Sequence, residues 1–208
     1  MPDTKEIASL VKMLQSKYGE GAIGLLGSMK AVNVRAVSTG IPDLDYALGV
    51  GGVPYGRIIE IYGPESSGKT TVAECILASE QRHGGTVAFI DVEHSFDPMR
   101  AKVLGLDIDK LIFSQPDTAE EALDMVIDLA ATGKVSFIVL DSVAALLPKE
   151  EEDKDMDKNT VGLQARLLSK FCRKAKGILN MNGCGLIVIN QIREKVGIMF
   201  GSKYICNI

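Results

Sequence analysis

The chain has 208 residues, of which 46% are hydrophobic, and its formal net charge is −4. This length and apolar content suffice for one sizeable packed domain with a small appendage, and they exclude a mainly disordered chain. No apolar run approaches the roughly 18 residues that a membrane-spanning helix needs, and the first residues do not resemble an export signal. We therefore expect a cytoplasmic protein without a membrane partner.

The N-terminal segment predicts a helix that stands apart from the rest of the chain. Apolar residues recur at helical spacing between residues 5 and 18, which gives one apolar stripe. The glycine-rich residues 19–27 predict a linker, and a weak strand pattern follows at Val32–Val37. We assign residues 1–30 to an N-terminal helix and linker.

The core, assigned to residues 31–201, alternates predicted strands with predicted helices. This alternation indicates βαβ units, and so an α/β fold with a mostly parallel sheet flanked by helices. The predicted strands are Ile58–Tyr62, Thr86–Asp91, Ser136–Asp141 and Gly185–Asn190. The predicted helices are Thr70–Gln81, Pro98–Leu104, Ala119–Ala131 and Gly162–Asn180.

The first predicted strand leads into a complete phosphate-binding motif, G-x-x-x-x-G-K-[ST]. Its glycines let backbone N–H groups surround phosphate oxygens, and the following helix adds its positive N-terminal dipole. Lys69 would reach the β- and γ-phosphates, and the Thr70 hydroxyl would bind Mg²⁺. A chance glycine-rich turn is the alternative, but the strand–loop–helix context disfavours it. The predicted ATP-binding residues are Gly63, Pro64, Glu65, Ser66, Ser67, Gly68, Lys69, Thr70 and Thr71.

Two acidic residues end neighbouring predicted strands, where parallel α/β sheets bind their ligands. Asp141 would hold the Mg²⁺ together with Thr70, usually through water; a helix N-cap is the alternative. Glu93 would orient and deprotonate the attacking water; a surface acid is the alternative. We therefore predict Glu93 and Lys69 as the catalytic residues.

The fourth predicted strand ends in Asn190 and Gln191. These carboxamides could sense a γ-phosphate by hydrogen bonding and pass its presence to the next loop, although a capped strand end would look the same. The loop that follows combines cations with apolar and aromatic residues, which suits a single-stranded nucleic acid. The predicted nucleic-acid contacts in it are Arg193, Lys195 and Phe200.

Charge is unevenly distributed along the chain. From Gly162 to the end there are eight basic residues and one acidic residue, whereas the acidic run at residues 150–158 predicts an unpacked loop. This segregation indicates an anionic partner for the basic part, although a solvated basic helix face would give the same pattern.

Taken together, these residues resemble the RecA family of bacterial and phage strand-exchange recombinases. The resemblance extends from the first helix to about Gly201 and is more specific than the phosphate-binding motif alone. The matching stretches are residues 56–71, 89–94, 114–118, 141–146 and 189–193.

The resemblance implies a RecA-like fold and a DNA-dependent ATPase that forms ATP-bound helical filaments on single-stranded DNA. Such a protein promotes pairing and strand exchange with homologous duplex DNA in recombination and repair. The N-terminal helix would pack on a neighbouring subunit of this homo-oligomer. Glu93 would be the catalytic glutamate, Gln191 would couple ATP to DNA binding, and Asp97 would lie near adenine. Arg166 and Arg173 would lie beside the DNA path.

The chain departs from the family pattern in three places. Arg100 stands where the family usually has an adenine-stacking tyrosine, and a guanidinium plane can also stack. The first DNA-binding loop is unusually acidic. Residues 202–208 do not resemble the family's continuation, so we expect a tail outside the pattern and an interrupted or truncated recombinase. An uncovered edge at the predicted strand Gly185–Asn190 would then favour poor solubility or association.

Two other functions fit parts of this pattern. A non-catalytic remnant that binds ATP and modulates full-length recombinase filaments would keep the same motifs. Another P-loop motor, such as a hexameric helicase or a circadian-type ATPase, would share the phosphate-binding loop. The Pro64–Ser67 sequence and the Asn190–Gln191 pair argue against such a motor.

Overall fold

The computed structural model describes residues 4–25, 27, 34–149, 162–194 and 204–206. It divides into two compact units, Met1–Val34 and Arg35–Ile208. In the first unit, helix α1 spans Thr4–Tyr18, which confirms the predicted N-terminal helix. Among the described residues, no helix has the length and apolar character needed to cross a membrane.

The second unit is an α/β domain. Its strands are β1 (Ala36–Val37), β2 (Val53–Pro54), β3 (Ile58–Gly63), β4 (Val87–Asp91), β5 (Ile112–Ser114), β6 (Phe137–Asp141), β7 (Gly185–Glu194) and β8 (Tyr204–Cys206). Its helices are α2 (Pro42–Leu48), α3 (Lys69–Arg82), α4 (Pro98–Val103), α5 (Ala119–Ala131) and α6 (Leu163–Asn182). The four predicted strands and four predicted helices of the core are confirmed, with ends that shift by a few residues.

The main sheet has the strand order β3-β7-β6-β4-β5, and all five of these strands are parallel. Strand β8 adds to the end of β7 in the antiparallel direction. Strands β4 and β6 are buried along their whole length, which explains why they read as continuous apolar runs. Helices α5 and α6 contribute to the core cluster on one face, and α3 to the cluster on the other.

The prediction of an exposed edge at Gly185–Asn190 is wrong. This segment belongs to β7, which lies between β3 and β6 and hydrogen-bonds to both. The outermost described strands of the main sheet are β3 and β5, which each pair on one side only, and Tyr62 of β3 is 59% exposed. The order of strands in a parallel sheet is set by the crossover connections rather than by position along the chain.

Candidate nucleotide-binding site

A cleft of about 530 Å³ lies at the carboxyl ends of the parallel strands. The loop between β3 and α3 forms one side of it, and residues that follow β4, end β6 or lie within β7 form another. Ligand sites of parallel α/β sheets occur at this edge because the loops there converge. The lining residues are Glu65, Ser66, Ser67, Gly68, Lys69, Thr70, Thr71, Glu93, Arg100, Asp141, Ile189 and Gln191.

The phosphate-binding loop curls tightly between β3 and α3. Gly68 precedes the first residue of α3 and adopts a left-handed φ of 86°, which glycine accepts without strain. The Lys69 ammonium folds back over the loop, where it donates to the carbonyl oxygens of Gly63 (3.1 Å) and Pro64 (2.8 Å). This conformation keeps a cation at the start of α3, beside backbone N–H groups that can bind a phosphate.

The Thr70 hydroxyl and the Asp141 carboxylate meet across the cleft. Thr70 Oγ1 donates to Asp141 Oδ2 over 2.7 Å, and Asp141 is 2% exposed. Burial raises the pKa of Asp141 to about 6; the charges of Glu93 and Asp91 act in the same direction, while the Thr70 hydrogen bond opposes the rise. Two adjacent hard oxygen donors suit Mg²⁺, which usually binds to one or two carboxylates plus substrate phosphates. The donor set therefore fits the predicted ion.

Glu93 is brought together with Gln191 and Ser142. Its Oε1 accepts a hydrogen bond from Gln191 Nε2 at 3.0 Å and another from the Ser142 hydroxyl. The carboxylate is therefore held in one orientation at the cleft wall. Sequence analysis did not identify Ser142 as a site residue, although its position directly after Asp141 at a strand end was a usable signal.

Two further buried polar residues support these side chains. Asp91, which is fully buried, accepts hydrogen bonds from the backbone N–H groups of Ser95 and Phe96 and thereby fixes the loop that carries Glu93. Asn190 donates to Glu60 Oε1 at 2.9 Å and accepts from the backbone N–H of Gln191 at 2.8 Å. Asn190 thus orients Gln191.

Arg100 and Asp97 lie near the cleft in different roles. Arg100 lines the cleft and forms an ion pair with Glu74. Sequence analysis did not identify Glu74 as a residue near the site. Asp97 is exposed, and its carboxylate caps the N-terminus of α4 by accepting the N–H groups of Met99 and Arg100. Its predicted place near adenine stays a prediction.

The residues predicted to contact DNA are described only in part. Arg166 and Arg173 are exposed on α6, a helix that carries five basic residues and no acidic one. Arg173 also lines a second cleft with Arg57 and Lys176. The backbone of Arg193 continues β7, whereas Lys195, Phe200 and the acidic loop lie outside the described residues.

Comparison with known families decides the classification. A family model described as the RecA N-terminal domain matches residues 5–206. The chain belongs to this family. The match includes every residue that lines the cleft, and the parallel sheet with its flanking helices is a RecA-like α/β fold.

Similar proteins of the RecA family occur in clostridia. The chain is 54% identical over 198 residues to "Protein RecA" of Clostridium novyi and of Clostridium acetobutylicum, and 51% identical to that of Clostridioides difficile. These alignments cover 95% of the chain and 57% of each relative. The chain therefore spans a little over half the length of the RecA proteins that it matches.

Proposed function

We propose that the chain binds Mg-ATP in the cleft between the phosphate-binding loop and the strand ends. The observation that carries this proposal is the convergence of Lys69, Thr70 and Asp141 at the start of α3. The cation and the helix N-terminus would hold the phosphates. Thr70 and Asp141 would hold Mg²⁺, which neutralises charge on the phosphates.

We further propose that this site belongs to a DNA-dependent ATPase of the RecA type. The 3.0 Å contact between Glu93 and Gln191 supports this, because it joins the predicted base to the strand that leads toward the predicted DNA loop. Glu93 would accept a proton from the attacking water. A γ-phosphate would compete with Glu93 for the Gln191 amide, so that nucleotide binding would reach the segment after β7.

The proposed partners follow from the membership of the chain in the RecA family and from the basic surface of α6. We propose single-stranded DNA as the polymer on which the chain, or the longer protein of which it is a part, forms helical homo-oligomeric filaments. We also propose that this assembly pairs with homologous duplex DNA and exchanges strands during recombination and repair in the cytoplasm.

Calorimetric titration with Mg-ATP tests the nucleotide site. Lys69→Ala should weaken ATP binding by at least about tenfold, because it removes a charge-assisted contact to the phosphates. Lys134→Ala, which removes an exposed lysine outside the cleft, should leave the affinity unchanged. Equal affinities for the wild type and the Lys69→Ala variant would refute the assignment.

A further inference from the structure

Glu74 is a buried carboxylate with an incomplete set of partners. It lies on α3, has no exposed surface, and its Oε2 accepts from Arg100 Nη2 at 2.9 Å. Its second oxygen, Oε1, has no hydrogen-bond partner among the described residues. Burying a charged group is costly unless it is paired. The position therefore needs an explanation beyond packing.

The ion pair joins this buried acid to the wall of the cleft. The Arg100 side chain is 43% exposed and lines the cleft while its Nη2 bonds to Glu74, so a ligand in the cleft can reach the exposed part of this side chain. Asp97 fixes the other end of the same residue, because its carboxylate accepts the Arg100 backbone N–H at 3.2 Å. Arg100 is thus held at both its backbone and its guanidinium.

Arg100 lies apart from the groups proposed to act on the phosphates. The Arg100 guanidinium bonds to Glu74, whereas the side chains of Thr70 and Gln191 bond to Asp141 and Glu93. Glu74 follows Thr70 by four residues on α3, which places it about 6 Å farther along the helix from the phosphate-binding end. Arg100 lines the same cleft as the phosphate-binding loop, so a nucleotide with its phosphates on the loop can place its nucleoside against Arg100.

We propose that Glu74 is a positioning residue that holds the guanidinium plane of Arg100 against the base of the bound nucleotide. The inference rests on the proposed binding of ATP in this cleft. A planar guanidinium stacks on an aromatic ring, and the contact gains strength from the positive charge. An unpaired arginine would have to lose rotamer freedom on binding, whereas one already held by Glu74 loses less.

The pair is expected to affect the base-containing part of the ligand only. Glu74→Gln keeps the side-chain volume but removes the charge, so it should weaken ATP binding by about threefold to tenfold. Binding of inorganic tripolyphosphate, which has no base, should stay within about twofold of the wild type, because Lys69 and Thr70 are unaltered. Arg100→Lys keeps a cation but loses the plane, and it should show the same selective loss for ATP.

The experiment measures the affinities of Mg-ATP and of Mg-tripolyphosphate by titration. The proteins titrated are the wild type, Glu74→Gln, Arg100→Lys and a control variant. The control is Glu80→Gln, which alters another buried carboxylate of α3 that bonds to Tyr55 outside the cleft. Thermal unfolding without ligand checks that each variant is folded. Arg100→Lys keeps the test valid if Glu74→Gln fails to fold, because its side chain is partly exposed.

The outcomes separate this inference from the proposed function. Selective loss of ATP affinity in the Glu74 and Arg100 variants, with tripolyphosphate binding intact, would support the positioning role. If the wild type binds ATP, two results would overturn that role while the nucleotide site stands. One is an equal loss of affinity for both ligands in the variants, and the other is an unchanged affinity of the variants for ATP. A wild type that does not bind ATP would overturn the proposed function, and the inference with it.

Discussion

The amide of Gln191 donates to the carboxylate of Glu93 over 3.0 Å, although the two residues are 98 positions apart in the chain. Gln191 lies on β7 and Glu93 follows β4, and strand β6 runs between these two strands in the sheet. Ser142, which follows β6, donates to the same carboxylate oxygen. One carboxylate thus connects a residue of β7 with residues that follow β4 and β6, and a ligand that displaced Gln191 would break one of these two hydrogen bonds.

We expect a substitution at Glu93 to lower the rate of ATP hydrolysis without preventing ATP binding. Glu93→Gln should keep Mg-ATP affinity within a few fold but lower the DNA-stimulated hydrolysis rate by about 10²- to 10⁴-fold, because it removes the proton acceptor. Phosphate release measures the rate, and calorimetry measures the affinity. Glu121→Gln, an exposed change on α5, is the matched control. Hydrolysis at the wild-type rate in the Glu93 variant would exclude this residue as the base.

The buried Asp141 predicts a pH-dependent stability in the absence of Mg²⁺. Its pKa is raised from 3.8 to about 6, so the folded chain binds this proton more tightly than the unfolded chain does. The free energy of unfolding should therefore fall as the pH rises from about 4 to about 6 and stay low above that range. Asp141→Asn should remove this fall and raise the free energy of unfolding at neutral pH by about 1–3 kcal/mol.

Urea unfolding at several pH values measures the effect of Asp141. Asp128→Asn, which changes an exposed carboxylate on α5, should not alter the pH profile in this range. The stabilised Asp141→Asn variant should at the same time lose Mg²⁺-dependent ATP binding. If the pH profiles of Asp141→Asn and the wild type run parallel, the buried carboxyl does not cause the dependence.

At the start of β7, the buried core leaves no room for a side chain at Gly185. A Cβ atom at Gly185 would lie 2.2 Å from Phe137 Cε1, and Phe137 is fully buried. Gly185→Ala should therefore lower the free energy of unfolding by about 1–3 kcal/mol, because the ring must move within a packed core. Gly177→Ala, in α6, meets no atom within 4 Å and should instead raise it by about 0.5–1 kcal/mol. Thermal or urea unfolding of both variants checks these opposite signs.

The basic face of α6 predicts salt-dependent binding of single-stranded DNA. Replacing Arg166 and Arg173 with alanine should weaken binding and flatten the plot of log affinity against log salt by about 0.7 for each lost phosphate contact. Fluorescence anisotropy over a salt series measures this slope. A double variant of the exposed Lys102 and Lys134 removes the same charge outside α6. Slopes that change equally in both double variants would place the DNA contact elsewhere.

Local patterns in the sequence predicted much of the fold. Strands β4 and β6 could be identified because burial on both faces makes them continuous apolar runs. Strand β5 was missed, since three residues are too short to show a period. Helix α2 was also missed, although the shorter helix α4 was predicted. The exposed-edge prediction failed because it expected the far neighbours of Gly185–Asn190 to come from sequence that this chain lacks, whereas β7 is enclosed by β3 and β6.

By itself, the sequence determined the phosphate-binding loop, since residues 63–70 form one contiguous motif whose chemistry depends on residue type and spacing. Only the tertiary structure decided that Glu93 would meet Gln191 and that Glu74 would pair with Arg100. Such contacts follow from the order of the strands and from how α3 and α4 pack beside the sheet. The strand order and the helix packing depend on connections between distant parts of the chain, and the periodicity of a single segment does not show these connections.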